Sequence, residues 1–251
     1  MGASAGRDAG NDAAVVGCPS GLTGPGLVEV TAPNGAKYCI DSTEVTNAQY
    51  AAFLAGAPAT SGQAPECILN PSFDPATTPT CSERTDSTVR PNHPIVCVDW
   101  CDAVAYCKWA GKRLCGRIGG GASDYGGIAD ATTSQWFNTC SAQGANTYPY
   151  GNTYEPQTCN GGDLLPTGDV IAVRSASGCH GVTAPWSAVY DMSGNVMEWE
   201  DACEASSNLN DKCRVRGGAT GHASSNLRCD SAGALARNYR DLDVGFRCCL
   251  H

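Results

Sequence analysis

Sixteen cysteines in 251 residues are the groups with most chemistry to offer, and their number is even. Thiols at this density serve either as metal thiolates or as disulfides. Zinc sites announce themselves as paired knuckles with two to four intervening residues. Only Cys97 and Cys101 have such a spacing, and no second knuckle follows at a matching distance. Disulfides are therefore the expectation, formed in an oxidising compartment, because cytosolic reductants keep thiols open. The histidines, His93, His180, His222 and His251, do not suggest a three-histidine iron site. No G-x-S-x-G elbow, phosphate loop or H-E-x-x-H is present, and the acids are scattered.

The elements that must position these groups are short. Leu27-Val28-Glu29-Val30 and Lys37-Tyr38-Cys39-Ile40 flank Pro33-Asn34-Gly35, a hairpin signal. Thr46 and Gln49 form a capping box, and Tyr50, Phe53 and Leu54 follow at helical spacing, which predicts a helix over 47–55. Residues 57–92 read as loop and 95–98 as a short buried strand. Asp99 caps a helix whose Ala103, Val104, Cys107 and Ala110 share a face, and Gly111 ends it. A third short helix is expected over 133–141. Residues 1–16 are small and polar and read as a disordered leader, leaving 17–251 as one domain without a linker or long-period repeat.

The chain carries a net charge of −9, with 30 glycines, 14 prolines and only 16% charged residues. The acidity argues against nucleic acid and against an anionic membrane surface as partners. No apolar run reaches the roughly 20 residues of a membrane span. Met1-Gly2-Ala3-Ser4-Ala5-Gly6 lacks the apolar region of a secretory signal, so the chain is read as one whose signal has been removed. The expected location is secreted, periplasmic or cell-surface.

Three stretches carry specific information. The first runs from Val98-Asp99-Trp100-Cys101 through Tyr106-Cys107-Lys108-Trp109-Ala110-Gly111-Lys112-Arg113-Leu114. The second is Tyr190-Asp191-Met192-Ser193-Gly194-Asn195-Val196-Met197-Glu198-Trp199. The third is Arg214-Val215-Arg216-Gly217-Gly218-Ala219, closed later by Val244-Gly245-Phe246-Arg247-Cys248. In order and spacing they resemble the formylglycine-generating enzyme, or sulfatase-modifying factor, family over about residues 25–250. The resemblance implies a single α+β domain related to C-type lectins, disulfide-rich and low in regular secondary structure.

It also implies two disulfides, Cys107–Cys248 and Cys140–Cys229. Proximity in sequence adds Cys18–Cys39, Cys67–Cys81, Cys159–Cys179 and Cys203–Cys213, and leaves Cys97, Cys101, Cys115 and Cys249 unassigned. Vicinal Cys248 and Cys249 need different partners if they lie in a strand, where successive side chains point to opposite faces. Relatives hold calcium at the Gly-Asn turn. By match, Asp191 and Glu198 would supply side-chain oxygens and Gly194 and Val196 carbonyls, a donor set of the kind calcium takes. The other reading has Asp191 capping the turn and Glu198 paired with a nearby arginine. A second family site would use Asn160 and the carbonyl of Gly161.

The family's chemistry uses two copper-binding cysteines between the RGG strand and the later Arg-Cys. Here that segment is Thr220-Gly221-His222-Ala223-Ser224-Ser225-Asn226-Leu227-Arg228, without a cysteine. His222 stands near the first position and Leu227 near the second. Copper is accordingly not expected, and the chain reads as a pseudoenzyme. A polar pocket lined by Thr220, His222, Ser224, Ser225 and Asn226 would instead hold a peptide, glycan or protein ligand. Trp100, Trp109, Trp136 and Trp199 fall in family core segments; Trp186 is the aromatic left over as a ligand contact. The main expectation is a calcium-binding, non-catalytic binding or surface protein. The alternatives are an oxidoreductase acting on exported proteins with altered metal ligation, and a cell-surface assembly subunit.

Overall fold

A computed structural model describes residues 17–165 and 168–251; the leader expected over 1–16 lies outside the described residues. The strands are β1 (Leu27–Thr31), β2 (Lys37–Asp41), β3 (Arg113–Leu114), β4 (Met197–Cys203), β5 (Lys212–Arg216), β6 (Ala232–Ala236), β7 (Val244–Phe246) and β8 (Cys248–Leu250). The helices are α1 (Asn47–Ala55), α2 (Pro79–Arg84), α3 (Trp100–Trp109) and α4 (Gln135–Cys140), with single 3-10 turns at Pro65–Cys67 and Trp186–Ala188.

Local signals set the helix starts. Thr46 and Gln49 close a capping box on α1, and Asp99 and Asp102 close another on α3. Each satisfies two N–H groups that the first turn leaves without partners. Ser134 caps α4 through the N–H of Phe137. The buried faces of α1 and α3 meet with Phe246 of β7 in an aromatic cluster. Tyr50, Phe53, Tyr106 and Phe246 sit with ring centroids 5.3–6.3 Å apart, in edge-on and stacked pairs. Burying each such side chain contributes about 1.5–3 kcal/mol.

Two four-stranded sheets, ordered β1-β2-β8-β3 and β6-β5-β4-β7, carry the rest. The first is antiparallel throughout; in the second, β7 joins β4 in parallel with Glu198 opposite Gly245. Cys248 packs into the core beneath α1 and α3, and Cys249 into the core around Trp136 and Phe137. The strand's alternation thus sends the vicinal pair to two partners, Cys107 and Cys115.

Eight disulfides form, and no cysteine is free. Cys18–Cys39, Cys107–Cys248, Cys140–Cys229, Cys159–Cys179 and Cys203–Cys213 pair as expected. Cys67–Cys81 does not. Cys67 pairs with Cys101 on α3, and Cys81 with Cys97. The reason is packing: Cys67 enters the α1–α3 core, whereas Cys81 enters a separate cluster with Val96, Cys97, Val170 and Val196.

Residues 57–92 are not bare loop either, because Thr78 caps α2 within them. Residues 95–98 are buried, but they form no strand. Cys97 sits at φ 60°, and the segment's N–H groups go to Val45 and Asp241 rather than to one ladder. Trp100, Trp136 and Trp199 are buried; Trp109 is 39% exposed, so it is not a core residue. Among the described residues no helix is long and apolar enough to cross a membrane.

Candidate functional site

The segment after β5 leaves the sheet through Gly217 and Gly218. Gly218 has φ 66°, and a Cβ there would stand 2.7 Å from the Asn226 carbonyl oxygen, so only glycine admits the close return of the chain. Residues 219–227 then run as turns: His222 N–H donates to Ala219, Asn226 N–H to Ala223 and Leu227 N–H to Ser224. Leu227 is the anchor. It is buried, with a methyl 2.3 Å from where a Cβ on Gly161 would stand, and its carbonyl accepts from the Ser193 hydroxyl at 2.7 Å.

His222 is hydrogen-bonded at one ring nitrogen and lies near a carboxylate at the other. Its Nδ1 accepts the Ala219 N–H at 3.2 Å, which leaves the ring hydrogen on Nε2, 3.8 Å from Asp243 Oδ2. His222 and Asn226 line a cavity of about 90 Å³ with Met197, Val215, Gly218 and Ser231. That volume is well below the roughly 300 Å³ of a small-molecule site. The enclosed ligand pocket expected there is a shallow dimple under an exposed turn. Thr220 is buried and donates to the Asp169 carbonyl at 3.0 Å. Ser225 and Asn226 are exposed; Ser224 is half-buried, and its carbonyl accepts from Tyr148. Trp186 does not join them: it packs half-buried against the core that holds Trp136 and Phe137.

The Asn160–Gly161 turn does reach this region. Gly162 N–H donates to the His222 carbonyl, and the Thr220 hydroxyl lies 3.5 Å from Asn160 Oδ1. Asn160 also accepts the Asn195 N–H on its carbonyl, and its side chain donates to Asn195 Oδ1 and to the Asp169 carbonyl. Gly194, at φ 75°, would carry a Cβ 2.5 Å from the Asn160 carbonyl oxygen, so the two turns fit only through that glycine.

Beneath the 191–198 turn lies a buried charge cluster. Arg247 donates Nε to Glu198 Oε2 and Nη2 to Oε1, both at 2.7 Å, and Trp136 Nε1 donates to Oε2 at 2.8 Å. Asp191 accepts the Arg174 N–H at 2.7 Å. The Glu198–Arg247 contact is the arginine pairing of the other reading, whereas Asp191 ties the turn to the Arg174 segment and does not cap it. Sequence reasoning missed a third acid, Glu44, which is fully buried just before α1. Its Oε1 accepts from Asn195 Nδ2 at 3.0 Å, and its Oε2 has no partner. No periodicity marks Glu44; its burial follows from the long-range approach of the 191–198 turn.

Burial, then the neighbouring Asp191 charge, push the Glu44 carboxyl well above its ordinary value, and burial raises Asp191 to about 6. Three buried carboxylates thus face one guanidinium. Among the described residues no three acid, histidine or cysteine side chains converge as a ready-made metal cage. The donor types are nevertheless those a hard cation takes. Asp191 and Glu44 are short of positive charge, Glu44 Oε2 is free to ligate, and Glu198 keeps lone-pair capacity beyond its three accepted bonds.

A family model described as the sulfatase-modifying factor enzyme 1-like domain matches residues 28–251. Curated relatives include a formylglycine-generating enzyme of Bos taurus, 33% identical over 127 residues, which are 47% of this chain and 29% of that protein. One from Thermomonospora curvata is 34% identical over 119 residues, 45% of this chain and 34% of that one. The Bos taurus protein named inactive C-alpha-formylglycine-generating enzyme 2 is 34% identical over 116 residues, 42% and 32% of the two chains. The chain thus matches about a third of the length of these relatives. Among solved structures, Treponema denticola variable protein 1 superposes with a TM-score of 0.56 at 17% identity, covering 89% of this chain and 94% of that one. PvdO from Pseudomonas aeruginosa gives 0.54 at 18% identity, covering 90% and 92%. At these identities the likeness bears on fold alone.

Proposed function

The chain belongs to the family of sulfatase-modifying factor enzyme 1-like domains, and from that premise we propose that it is an exported, calcium-binding, non-catalytic member that presents a binding surface. One observation carries the reading. All sixteen cysteines are spent in eight disulfides, and the segment from Ala219 to Arg228 contributes none. Soft Cu(I) needs thiolate ligands. The matched positions are instead a histidine whose Nδ1 is taken by a backbone N–H and a leucine sealed in the core. These residues do not fit copper.

What the 219–227 segment offers is an exposed, polar turn on a rigid base. Ser225 and Asn226 face solvent while Leu227 and Thr220 hold the ends. A surface of this kind recognises a peptide or glycan by hydrogen bonds at a shallow contact, not by enclosure. The disulfide density supports export into an oxidising compartment. Calcium at Asp191 and Glu198, with the Gly194 and Val196 carbonyls and Glu44 beside them, would neutralise the acids that Arg247 leaves uncompensated.

Copper titration with a cysteine-containing sulfatase peptide tests the non-catalytic reading. The expected result is no tight Cu(I) binding and no aldehyde. Aldehyde formation would establish the oxidoreductase alternative, the activity named for the curated relatives. Peptide and glycan arrays test the binding role: signals should be lost in a Ser224→Ala, Ser225→Ala, Asn226→Ala variant that keeps its melting temperature. Signals indifferent to those substitutions would remove the turn from the function.

A further inference from the structure

An apolar concavity lies away from the 219–227 turn and shares no lining residue with the dimple there. It opens between the C-terminal ends of α1 and α3 and the 58–73 segment, and encloses about 400 Å³. Phe53 and Phe73 form its buried wall, with ring centroids 5.6 Å apart. Trp109 stands 5.5 Å from Phe53 and is the exposed edge of that wall. An indole left 39% open beside two buried phenyl rings is apolar area that core packing did not use.

The cavity is preformed. Its inner wall belongs to the aromatic cluster of α1 and α3, and the Cys67–Cys101 disulfide, which itself lines the cavity, fixes the facing segment to α3. Gln63 holds that segment in shape by donating to the Thr60 and Asn70 carbonyls. A ligand entering it would not have to order the loop first, which is a main cost of binding.

Charge selects the ligand. The chain carries −9 overall, yet Lys108 is the one charged residue among those that line the cavity. Lys108 is exposed, next to Trp109. An apolar slot of ligand size with flat aromatic walls and a single ammonium at its mouth is complementary to a planar ring system bearing one acidic group. A cationic ligand would meet Lys108 with no carboxylate to offset it.

The geometry points to a second ligand site here, for a small aromatic carboxylate or sulfonate: rings against Phe53, Phe73 and Trp109, acid on Lys108. This site is independent of the reading given to the 219–227 turn.

The test uses the full chain with its disulfides intact and 1-anilinonaphthalene-8-sulfonate as the probe, followed by its fluorescence and by quenching of tryptophan. The expected result is saturable binding of one probe per chain. Ala105→Trp, which fills the cavity, abolishes it, and Trp109→Ala weakens it. Lys108→Glu weakens it about fivefold or more, the scale of one exposed ion pair. Asn226→Ala leaves it unchanged, and unaltered melting temperatures show that the variants fold. The neutral N-phenyl-1-naphthylamine should bind more weakly than the sulfonate. Binding that is unsaturable or survives Ala105→Trp would overturn the site. Equal affinity for the neutral probe would overturn its selectivity for an acid. Concentration-dependent dimerisation that excludes the probe would assign the face to a second copy of the chain instead.

Discussion

Arg247 holds Glu198 by both carboxylate oxygens at 2.7 Å, with both side chains sealed from solvent. The pair joins the strand that follows the Gly-Asn turn to the segment between β7 and β8. It also anchors the molecule more widely, since Arg247 donates to the Asp41 and Tyr190 carbonyls as well. A buried ion pair is a poor source of net stability, but a broken one is costly, because a lone charge remains without water.

Removal of one partner is therefore the informative change. Arg247→Met should destabilise the fold by about 3–5 kcal/mol in guanidinium unfolding. Adding Glu198→Gln should recover part of that loss by discharging the stranded carboxylate. Recovery stays incomplete because the Asp41 and Tyr190 carbonyls still lack their donor. A double variant no more stable than Arg247→Met would show that the cost lies in packing, not in charge.

The same cluster makes calcium binding measurable as stability. At about a hundredfold excess over its dissociation constant, calcium should raise the melting temperature by about 5–10 °C. Asp191→Asn should remove the shift, and Glu44→Gln should reduce it. Burial raises the Glu44 carboxyl and lifts Asp191 to about 6, so protons compete with the cation for both and the shift should shrink between pH 7.5 and pH 5. A calcium shift of equal size at both pH values would place the ion elsewhere.

Asp201 gives a separate pH signature. Burial lifts its carboxyl from an ordinary 3.8 to about 6, against the pull of Arg113. Between those values the folded chain keeps a proton that the unfolded chain has released. Its contribution to stability is therefore full below about pH 4 and is lost as pH rises through 6. Asp201→Asn should stabilise the protein by about 2–3 kcal/mol at pH 7 and leave it unchanged at pH 4. Melting temperatures measured at both pH values check this. A wild-type curve that rises from pH 4 to 6, with an Asn variant parallel to it, would contradict the assignment.

What was legible in the sequence was local or specific. The Thr46/Gln49 capping box and the Asp99 cap each act within four residues, so the chain needs no tertiary fold to declare them. The bonds Cys107–Cys248 and Cys140–Cys229 came from a family likeness, since separations of 141 and 89 residues carry no local signal. Cys67 and Cys81 misled because nearness along the chain says nothing about which core each enters. Glu44 was invisible for a related reason: an acid beside a helix start normally faces water. Trp109 lies in a core segment yet faces a cavity, a distinction that depends on where the 58–73 segment crosses α3. The polar turn after Gly218 was legible as polar; that Leu227 fills the space beneath it was not.

Two disulfides run nearly side by side, and this predicts a failure of additivity. Cys107–Cys248 closes 141 residues and Cys115–Cys249 closes 134. With one in place, the other constrains only a short circuit, from 107 to 115 along the chain and from 249 back to 248. In the chain-entropy description a loop of about ten residues is worth about 2.7 kcal/mol. Replacing either pair by serines should cost about that much. Replacing both reopens the long loop, shortened by Cys140–Cys229, so the second removal should cost about 4–5 kcal/mol. The cost is thus larger for whichever pair goes second, in either order. Denaturant unfolding of the two double-serine variants and the quadruple variant measures all three terms. Equal steps would mean that the two bonds constrain independent parts of the unfolded chain, which their adjacency on β8 does not allow.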